Sequence, residues 1–315
     1  MGAPTAGSEL PASGVLVVDK PAGPTSHDVV DAVRRAWGQR RVGHTGTLDP
    51  FATGVLPVCI GRATRLARFL AGGEKVYTAV VQLGWATTTD DREGEPLGEP
   101  SPVRVDRDAV EAACAGFAGE LWQLPPAYSA RRKDGLRHYQ RARRGEAVPR
   151  EPARITVWEL RAGELDGEGR LQLEVRCSPG TYVRALARDI GERLGVGGHL
   201  LELRRTRSGS FDLSAAVPLD EVGNAGDRTV PLSGLLPELP AVRVGRVGAE
   251  ALRHGRDLSR SLVLEGFPVD RPPERLRVLG PDGELLGLAV PRGFGPAGPG
   301  LSWEPALHPD VVLSG

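Results

Sequence analysis

Hydrophobic positions along the chain switch between short apolar or alternating runs and a period of three to four residues, which predicts mixed α/β structure. Thirteen small, polar and Pro-containing residues read as a flexible leader, and Gly14-Val15-Leu16-Val17-Val18-Asp19 then opens the fold as a strand. The turn-rich Lys20-Pro21-Ala22-Gly23-Pro24 leads to Ser26, a residue type that caps helices. Val29, Val30, Val33 and Trp37 follow at helical spacing, and the helix should end near Gly38. Val76 to Leu83 is β-rich. A second helix is expected from about Asp106, with Val110, Ala113, Cys114 and Phe117 on one face, and Pro125-Pro126 closes that unit. Ile155 to Leu160 and Leu171 to Cys177 alternate like strands around the turn Asp166-Gly167-Glu168-Gly169. A helix follows through Val183, Leu186, Ala187, Ile190 and Leu194, with Gly195 as its stop.

From Ala216 to Pro240 the pattern dissolves into Pro, Gly, Asn and Asp, as in a linker or a loosely structured connection. A boundary near residue 236 follows. It separates a main domain over 14–236 from a small β domain over 237–315, in which Leu276-Arg277-Val278-Leu279 and Leu285 to Val290 flank the turn Pro281-Asp282-Gly283. No repeat of 20 to 50 residues is visible.

With 315 residues the chain can bury a core without disulfide staples. Cys59, Cys114 and Cys177 lie far apart, which argues against a disulfide framework or a structural zinc site and fits a reducing cytoplasm. No apolar run is long enough to cross a membrane. Forty basic residues balance forty acidic ones, yet the distribution is uneven: Arg131 to Arg150 holds eight basic residues against Asp134 and Glu146, while Asp90 to Glu99 is acidic. Arginine supplies all but Lys20, Lys75 and Lys133 of the basic set, a bias that by itself signifies little.

Phosphate-loop, H-E-x-x-H, G-x-S-x-G and kinase signatures are absent. The six histidines never take metal-ligand spacing, so neither a metal nor a cofactor is expected. What stands out is Gly43-His44-Thr45-Gly46-Thr47-Leu48-Asp49-Pro50-Phe51-Ala52-Thr53-Gly54-Val55-Leu56-Pro57, where turn formers surround a single carboxylate and then give way to apolar residues. Taken alone, this is a Gly-rich loop in which Asp49 starts a turn before Pro50.

Its context resembles the TruB class of tRNA pseudouridine synthases. The likeness begins at Gly14 to Pro21 with Gly23, Thr25 and Ser26, runs through the Asp49 motif, and continues to Gly61-Arg62-Ala63-Thr64-Arg65. It resumes at Lys75-Val76-Tyr77, at Leu83-Gly84 with Thr87, Thr89, Asp91 and Gly94, and at Pro125-Pro126-Ala127-Tyr128-Ser129-Ala130. Gly135, Tyr139, Ala142, Arg143 and Gly145 extend it, followed by Cys177 to Arg184 and Leu203-Arg204-Arg205. Residues 14 to about 215 are covered, and all four tyrosines fall inside these motifs. Arg132 stands where the class usually has lysine, with Lys133 displaced by one.

The resemblance implies a pseudouridine synthase fold, with a mainly antiparallel mixed sheet and a central cleft, and a small C-terminal PUA-like β domain. It implies isomerisation of uridine 55 in the TΨC arm of tRNA by a cytoplasmic monomer, without a cofactor. An RNA-folding protein on the same scaffold and a guide-dependent relative are the alternatives. By the same likeness Asp49 is the catalytic carboxylate, Arg184 its ion-pair partner and Tyr77 the ring that replaces the lost base stacking and takes a proton at C5. His44 would fill space left by extruded nucleotides, Tyr182 and Leu203 would wall the uracil pocket, and Lys20 and Asp91 would contact substrate. Tyr182 and Arg184, two apart, would face one way from an extended segment. Arg132, Lys133, Arg141, Arg143 and Arg144, within a basic insertion at about 128–150, would hold RNA phosphates.

Overall fold

A computed structural model gives the structure of residues 11–127, 132–133, 136–137, 151–268, 272–293 and 305–313. The first strand, β1 (Gly14–Lys20), is followed by helix α1 (Ser26–Ala36), β2 (Val42–His44), β3 (Thr53–Ile60), the short helix α2 (Ala67–Ala71) and β4 (Lys75–Leu83). A ribbon of β5 (Ala86–Thr87) and β6 (Pro96–Leu97) precedes helix α3 (Arg107–Ala115) and β7 (Gly119–Gln123). The two-residue strands β8 (Arg132–Lys133) and β9 (Leu136–Arg137) pair antiparallel. Then come β10 (Ala153–Leu165), β11 (Arg170–Cys177), helix α4 (Val183–Arg193), β12 (Gly198–Ser208), β13 (Phe211–Asp212) and β14 (Val217–Pro218).

These strands make one sheet in the order β14-β1-β3-β12-β4-β11-β10-β7, with β2 beside β3 and β13 beside β12. All pairings are antiparallel except β1 with β14 and β3 with β12, so the expected mixed, mainly antiparallel sheet is what forms. The parallel seam matters most. β3 and β12 share only the pairs Thr53 with Arg204 and Gly54 with Arg205, whereas β12 runs along the whole of β4. The two halves of the sheet therefore meet over two residues, and the site lies at that seam. Gly54 is required there: its φ is +102°, and a Cβ would stand 2.2 Å from the Arg205 carbonyl oxygen.

One face of the sheet buries Tyr77, Ala79, Val81, Leu173, Val175 and Leu203 beneath apolar stripes of the helices, Val29, Val30 and Val33 of α1, Val110 and Cys114 of α3, and Leu186 and Ile190 of α4. The opposite face of β1 and β3 packs against a second, six-stranded sheet in the order β16-β20-β19-β18-β15-β17, formed by β15 (Ala241–Val244), β16 (Leu258–Ser259), β17 (Val263–Glu265), β18 (Leu276–Leu279), β19 (Leu285–Arg292) and β20 (Ala306–Val312).

Several expectations need correction. The cap of α1 is Thr25, whose hydroxyl accepts the Asp28 N–H while the Asp28 carboxylate accepts the Thr25 N–H; Ser26 is buried and bonded elsewhere. Residues 216–240 are not loose. Val217, Val222, Ala225, Leu235 and Leu236 are buried, and a chain of 3-10 turns satisfies their backbone where no long period is possible. The C-terminal unit contains a helix, α5 (Arg246–Arg253), whose single short turn of apolar residues, Gly248, Ala249 and Leu252, is too brief to register as a period. Of the leader, Ser13 lies within the described part and is held, its hydroxyl accepting the Arg62 N–H at 3.0 Å.

Candidate active site

The Asp49 loop joins β2 to β3, and nearly every residue of it is tied down. Ser26 Oγ accepts the Leu48 N–H (2.8 Å) and donates to the Leu48 carbonyl (3.0 Å). Lys20 Nζ donates to the carbonyls of Pro21, Pro50 and Ala52 at 2.9, 3.0 and 2.7 Å. Arg205 donates from Nε to Val55 O (2.7 Å) and from Nη2 to Gly46 O (3.1 Å). Leu48, Phe51 and Ala52 are buried around Asp49, which stays partly exposed.

It faces a cavity of about 320 Å³ lined by the loop from Thr45 to Asp49, by Lys75 and Tyr77 of β4, by Pro179 to Arg184 and by Leu203 and Arg205 of β12. A wider groove of about 560 Å³ crosses the solvent face of the same sheet; Leu203 borders both, and the other residues expected at the site do not line it.

Across the cavity stands Arg184. Its Nε lies 3.0 Å from Asp49 Oδ2 and its Nη2 donates to Asp49 Oδ1 at 3.3 Å, while Nη1 donates to Asp91 Oδ2 (3.0 Å) and Thr89 O (3.1 Å). Arg184 is thus shared by two carboxylates of unequal exposure. The Arg184 and Asp91 side chains are 6% and 5% exposed, and that of Asp49 is 33% exposed. Protein surrounds the pair on the Asp91 side, and Asp49 keeps the face that opens to the cavity. Burial pushes the Asp49 carboxyl above its ordinary value, Arg184 draws it back, and the Asp91 charge raises it again.

The local fold differs from the expected extended segment. Tyr182 is the extended N-cap of α4 and Arg184 is helical; both reach the cavity because side chains at a helix start lean back over its N-terminus. Gln123, buried at the end of β7, fixes this corner by donating to Tyr182 O (3.0 Å) and accepting its N–H (2.8 Å). The only hint of Gln123 in the sequence is its place beside Leu124-Pro125-Pro126.

The structure brings together Asp49, Tyr77, Arg184, Tyr182 and Leu203. It does not bring Lys20 or Asp91 to the cavity wall. Lys20 is 0% exposed and its ammonium is consumed by three carbonyls, so it buttresses the loop rather than meeting a substrate, and burial lowers its pKa to about 8. Asp91 stands behind Arg184, its Oδ1 accepting from Thr89 Oγ1 (2.6 Å) and the Glu93 N–H (3.0 Å). His44 ends β2, half-buried, with Nδ1 accepting the Gly46 N–H (3.2 Å). Two charged cavity residues had no assigned role: Lys75, which donates to Ala71 O and Gly73 O and is lowered to about 8 by burial, and Arg205. Both were legible as same-face neighbours, two residues from Tyr77 and Leu203. Arg132 and Lys133 are described only as backbone of β8, and Arg141, Arg143 and Arg144 lie outside the described residues. Among the described residues no three His, Cys, Asp or Glu side chains group to hold a metal ion, and no helix is long and apolar enough to cross a membrane.

The same fold occurs in an H/ACA RNP bound to a substrate RNA containing 2'-deoxyuridine, with a TM-score of 0.71 and 25% identity over 96% of this chain and 85% of that one. It recurs in the archaeal box H/ACA sRNP Nop10-Cbf5 complex, with a TM-score of 0.70 and 26% identity over 96% of this chain and 86% of that one. Residues 34–183 match the TruB family pseudouridylate synthase N-terminal domain and residues 184–231 the tRNA pseudouridylate synthase B C-terminal domain. The division between the two matches falls inside the first turn of α4, so it is not a structural boundary. The fold and these family matches are those of the pseudouridine synthase class.

Within that class, curated relatives carry a more specific name. The tRNA pseudouridine synthase B of Solibacter usitatus is 46% identical over 79% of this chain and 86% of its own length, and that of Thermobifida fusca 46% over 89% and 95%. The chain belongs to the tRNA pseudouridine synthase B family.

Proposed function

We propose that this protein isomerises uridine to pseudouridine at position 55 in the T arm of tRNA, and that Asp49 is the carboxylate that acts on the flipped-out uridine. The observation that supports it most is the Asp49–Arg184 pair, buried on one side and open to the 320 Å³ cavity on the other. Relatives named for tRNA at 46% identity, against 25% for the H/ACA assembly, favour tRNA over a guide-dependent substrate.

The reaction breaks N1–C1′ and makes C5–C1′ with no net redox change and no outside group donor, so side chains suffice. Asp49, held charged by Arg184, acts at the sugar as nucleophile or base. Extruding the base from its stack costs a few kcal/mol, which the Tyr77 ring and the walls of Tyr182 and Leu203 offset. His44 fills space left in the helix. Lys20 and Asp91 serve from behind, one holding the loop and the other Arg184.

The basic segment at about 128–150, with Arg132, Lys133, Arg141, Arg143 and Arg144, grips T-arm phosphates. Residues 14–236 form the catalytic unit, and 237–315 a PUA-like unit that adds RNA contacts. The protein works as a cytoplasmic monomer. Incubating unmodified tRNA transcript with the purified chain and mapping pseudouridine tests the reading. Product at position 55 is expected, and Asp49→Ala should slow its formation by about 1,000-fold or more. Undiminished product from that variant would refute the role of Asp49, and product elsewhere would refute the T-arm assignment.

A further inference from the structure

Among the described residues Arg205 is the bulkiest fully buried side chain, 1% exposed. None of the ion pairs among the described residues includes it. A buried guanidinium with no carboxylate beside it is costly, and two backbone carbonyls do not neutralise a charge. Nε and Nη2 are spent on Val55 and Gly46. Nη1 lies beside Gly46 of the cavity wall, where an added Cβ would sit 3.6 Å from it, and Tyr77, the direct cross-strand partner of Arg205 on β4, lines the same cavity with its hydroxyl in the field of the guanidinium.

The other groups facing that hydroxyl offer no positive charge in hydrogen-bonding contact. Cys177 on β11 is a neutral thiol whose pKa burial raises to about 11, and Asp49 on the loop is an anion. Lys75, two residues earlier on β4, is turned to Ala71 O and Gly73 O, and Arg184 across the cavity is occupied by Asp49 and Asp91. Burial pushes the Tyr77 phenol above its ordinary value, with Arg205 as the main opposing influence.

We propose that Arg205 is a positioning residue for the isomerisation, acting through Tyr77: it turns the phenol O–H into the cavity and stabilises the phenolate while Tyr77 passes a proton between N1 and C5 of the uracil. This rests on the reading of Tyr77 given above. When N1–C1′ breaks, the bonding pair stays on N1, which ends the reaction protonated. When C5–C1′ forms, C5 must shed its hydrogen as a proton, and the pair it leaves restores the C5=C6 double bond. One proton is gained at N1 and one lost at C5, so a single phenol can give the first, take the second and return to its starting state. The phenolate in between is the anion that the unpaired Arg205 charge awaits.

The rival is a clamp that merely holds the loop through Gly46 and Val55. Single-turnover rates on tRNA transcript separate the two, measured for Arg205→Gln, Arg205→Lys, Tyr77→Phe and the double variants, with thermal melts to verify folding. Arg205→Gln should lose roughly 100-fold at pH 7. Arg205→Lys, which keeps the cation, should lose markedly less than Arg205→Gln. On a Tyr77→Phe background, Arg205→Gln should cost little more than Tyr77→Phe alone. Losses that multiply in the double variant, or a loss in Arg205→Lys equal to that in Arg205→Gln, would reduce Arg205 to a clamp and overturn the inference. Should Arg205→Gln fail to fold, the cycle is run with Arg205→Lys, and multiplying losses again overturn it. A Tyr77→Phe variant with the wild-type rate would instead sink the reading of Tyr77, and the inference with it.

Discussion

An aspartate that must react with a sugar has to be charged yet shielded from water, and at Asp49 these requirements oppose each other. Burial raises its pKa, Arg184 lowers it and Asp91 raises it again. The working form is the carboxylate, so the rate falls as pH drops through this raised value, and the acid limb of the single-turnover profile should lie above the ordinary aspartate pKa of about 3.9. Arg184→Gln deletes the influence that lowers it and should move the limb to higher pH. Asp91→Asn deletes one that raises it and should move the limb down, even as a loosened Arg184 slows the reaction. Limbs that move the same way in both variants would contradict this account. Asp49, Tyr77 and Arg184 were legible because each sits in a motif. The Asp49–Arg184 pairing came with the resemblance, whereas the second carboxylate on Arg184 was not legible, since Asp91 and Arg184 lie 93 positions apart. Lys20 and Asp91 belong to the same motifs, and proximity in sequence gave no sign that one stands beneath the loop and the other behind the arginine.

At the scale of elements, the start of α1 shows two adjacent hydroxyls with separate tasks. Thr25 closes the capping box with Asp28, at the surface, whereas Ser26 is buried one residue on and spans both backbone groups of Leu48, the residue before Asp49. Thr25→Ala should lower stability by about 1 kcal/mol and leave the rate on tRNA near that of the wild type. Ser26→Ala strands a buried N–H and a buried carbonyl, at about 1–3 kcal/mol, and should also lower kcat, because the loop that aims Asp49 loses its tether. Thermal melts and single-turnover rates on both variants measure this, and equal activity in the two would sink it. The helical period located α1, α3 and α4, and the turn chemistry of Asp166 to Gly169 located the hairpin of β10 and β11, because these signals are local. Which of two hydroxyls caps depends on the partner that Ser26 finds 22 residues away, and no local pattern holds that information.

For the whole molecule, the boundary near residue 236 is a packed seam. Leu235 and Leu236 share one buried cluster with Val15 and Val55 of the large sheet, with Leu66 and Leu70 of the helical turns after β3, and with Leu285, Leu288, Val311 and Leu313 of the C-terminal unit. Polar contacts border it: Arg62 donates to Leu313 O, Arg68 pairs with Asp310 at 3.0 Å, and Arg275 lies 4.7 Å over the Phe69 ring. The segment that reads as a linker is therefore wedged between the two units, and its Pro and Gly serve tight turns rather than freedom. Fully burying a leucine or valine side chain is worth about 1.5–3 kcal/mol, so exposing half of such a cluster would cost on the order of 10 kcal/mol, comparable with the roughly 5–15 kcal/mol that stabilises a whole domain. The two units should then melt together. Calorimetry of the full chain is expected to give one transition, and Leu313→Asp, which drives a charge into the seam from the far end of the chain, should lower that transition for both units at once. A fragment ending at residue 236 should melt far lower or aggregate. Two separate transitions in the full chain, or a fragment as stable as the parent, would show the seam to be a mere contact between independent folds.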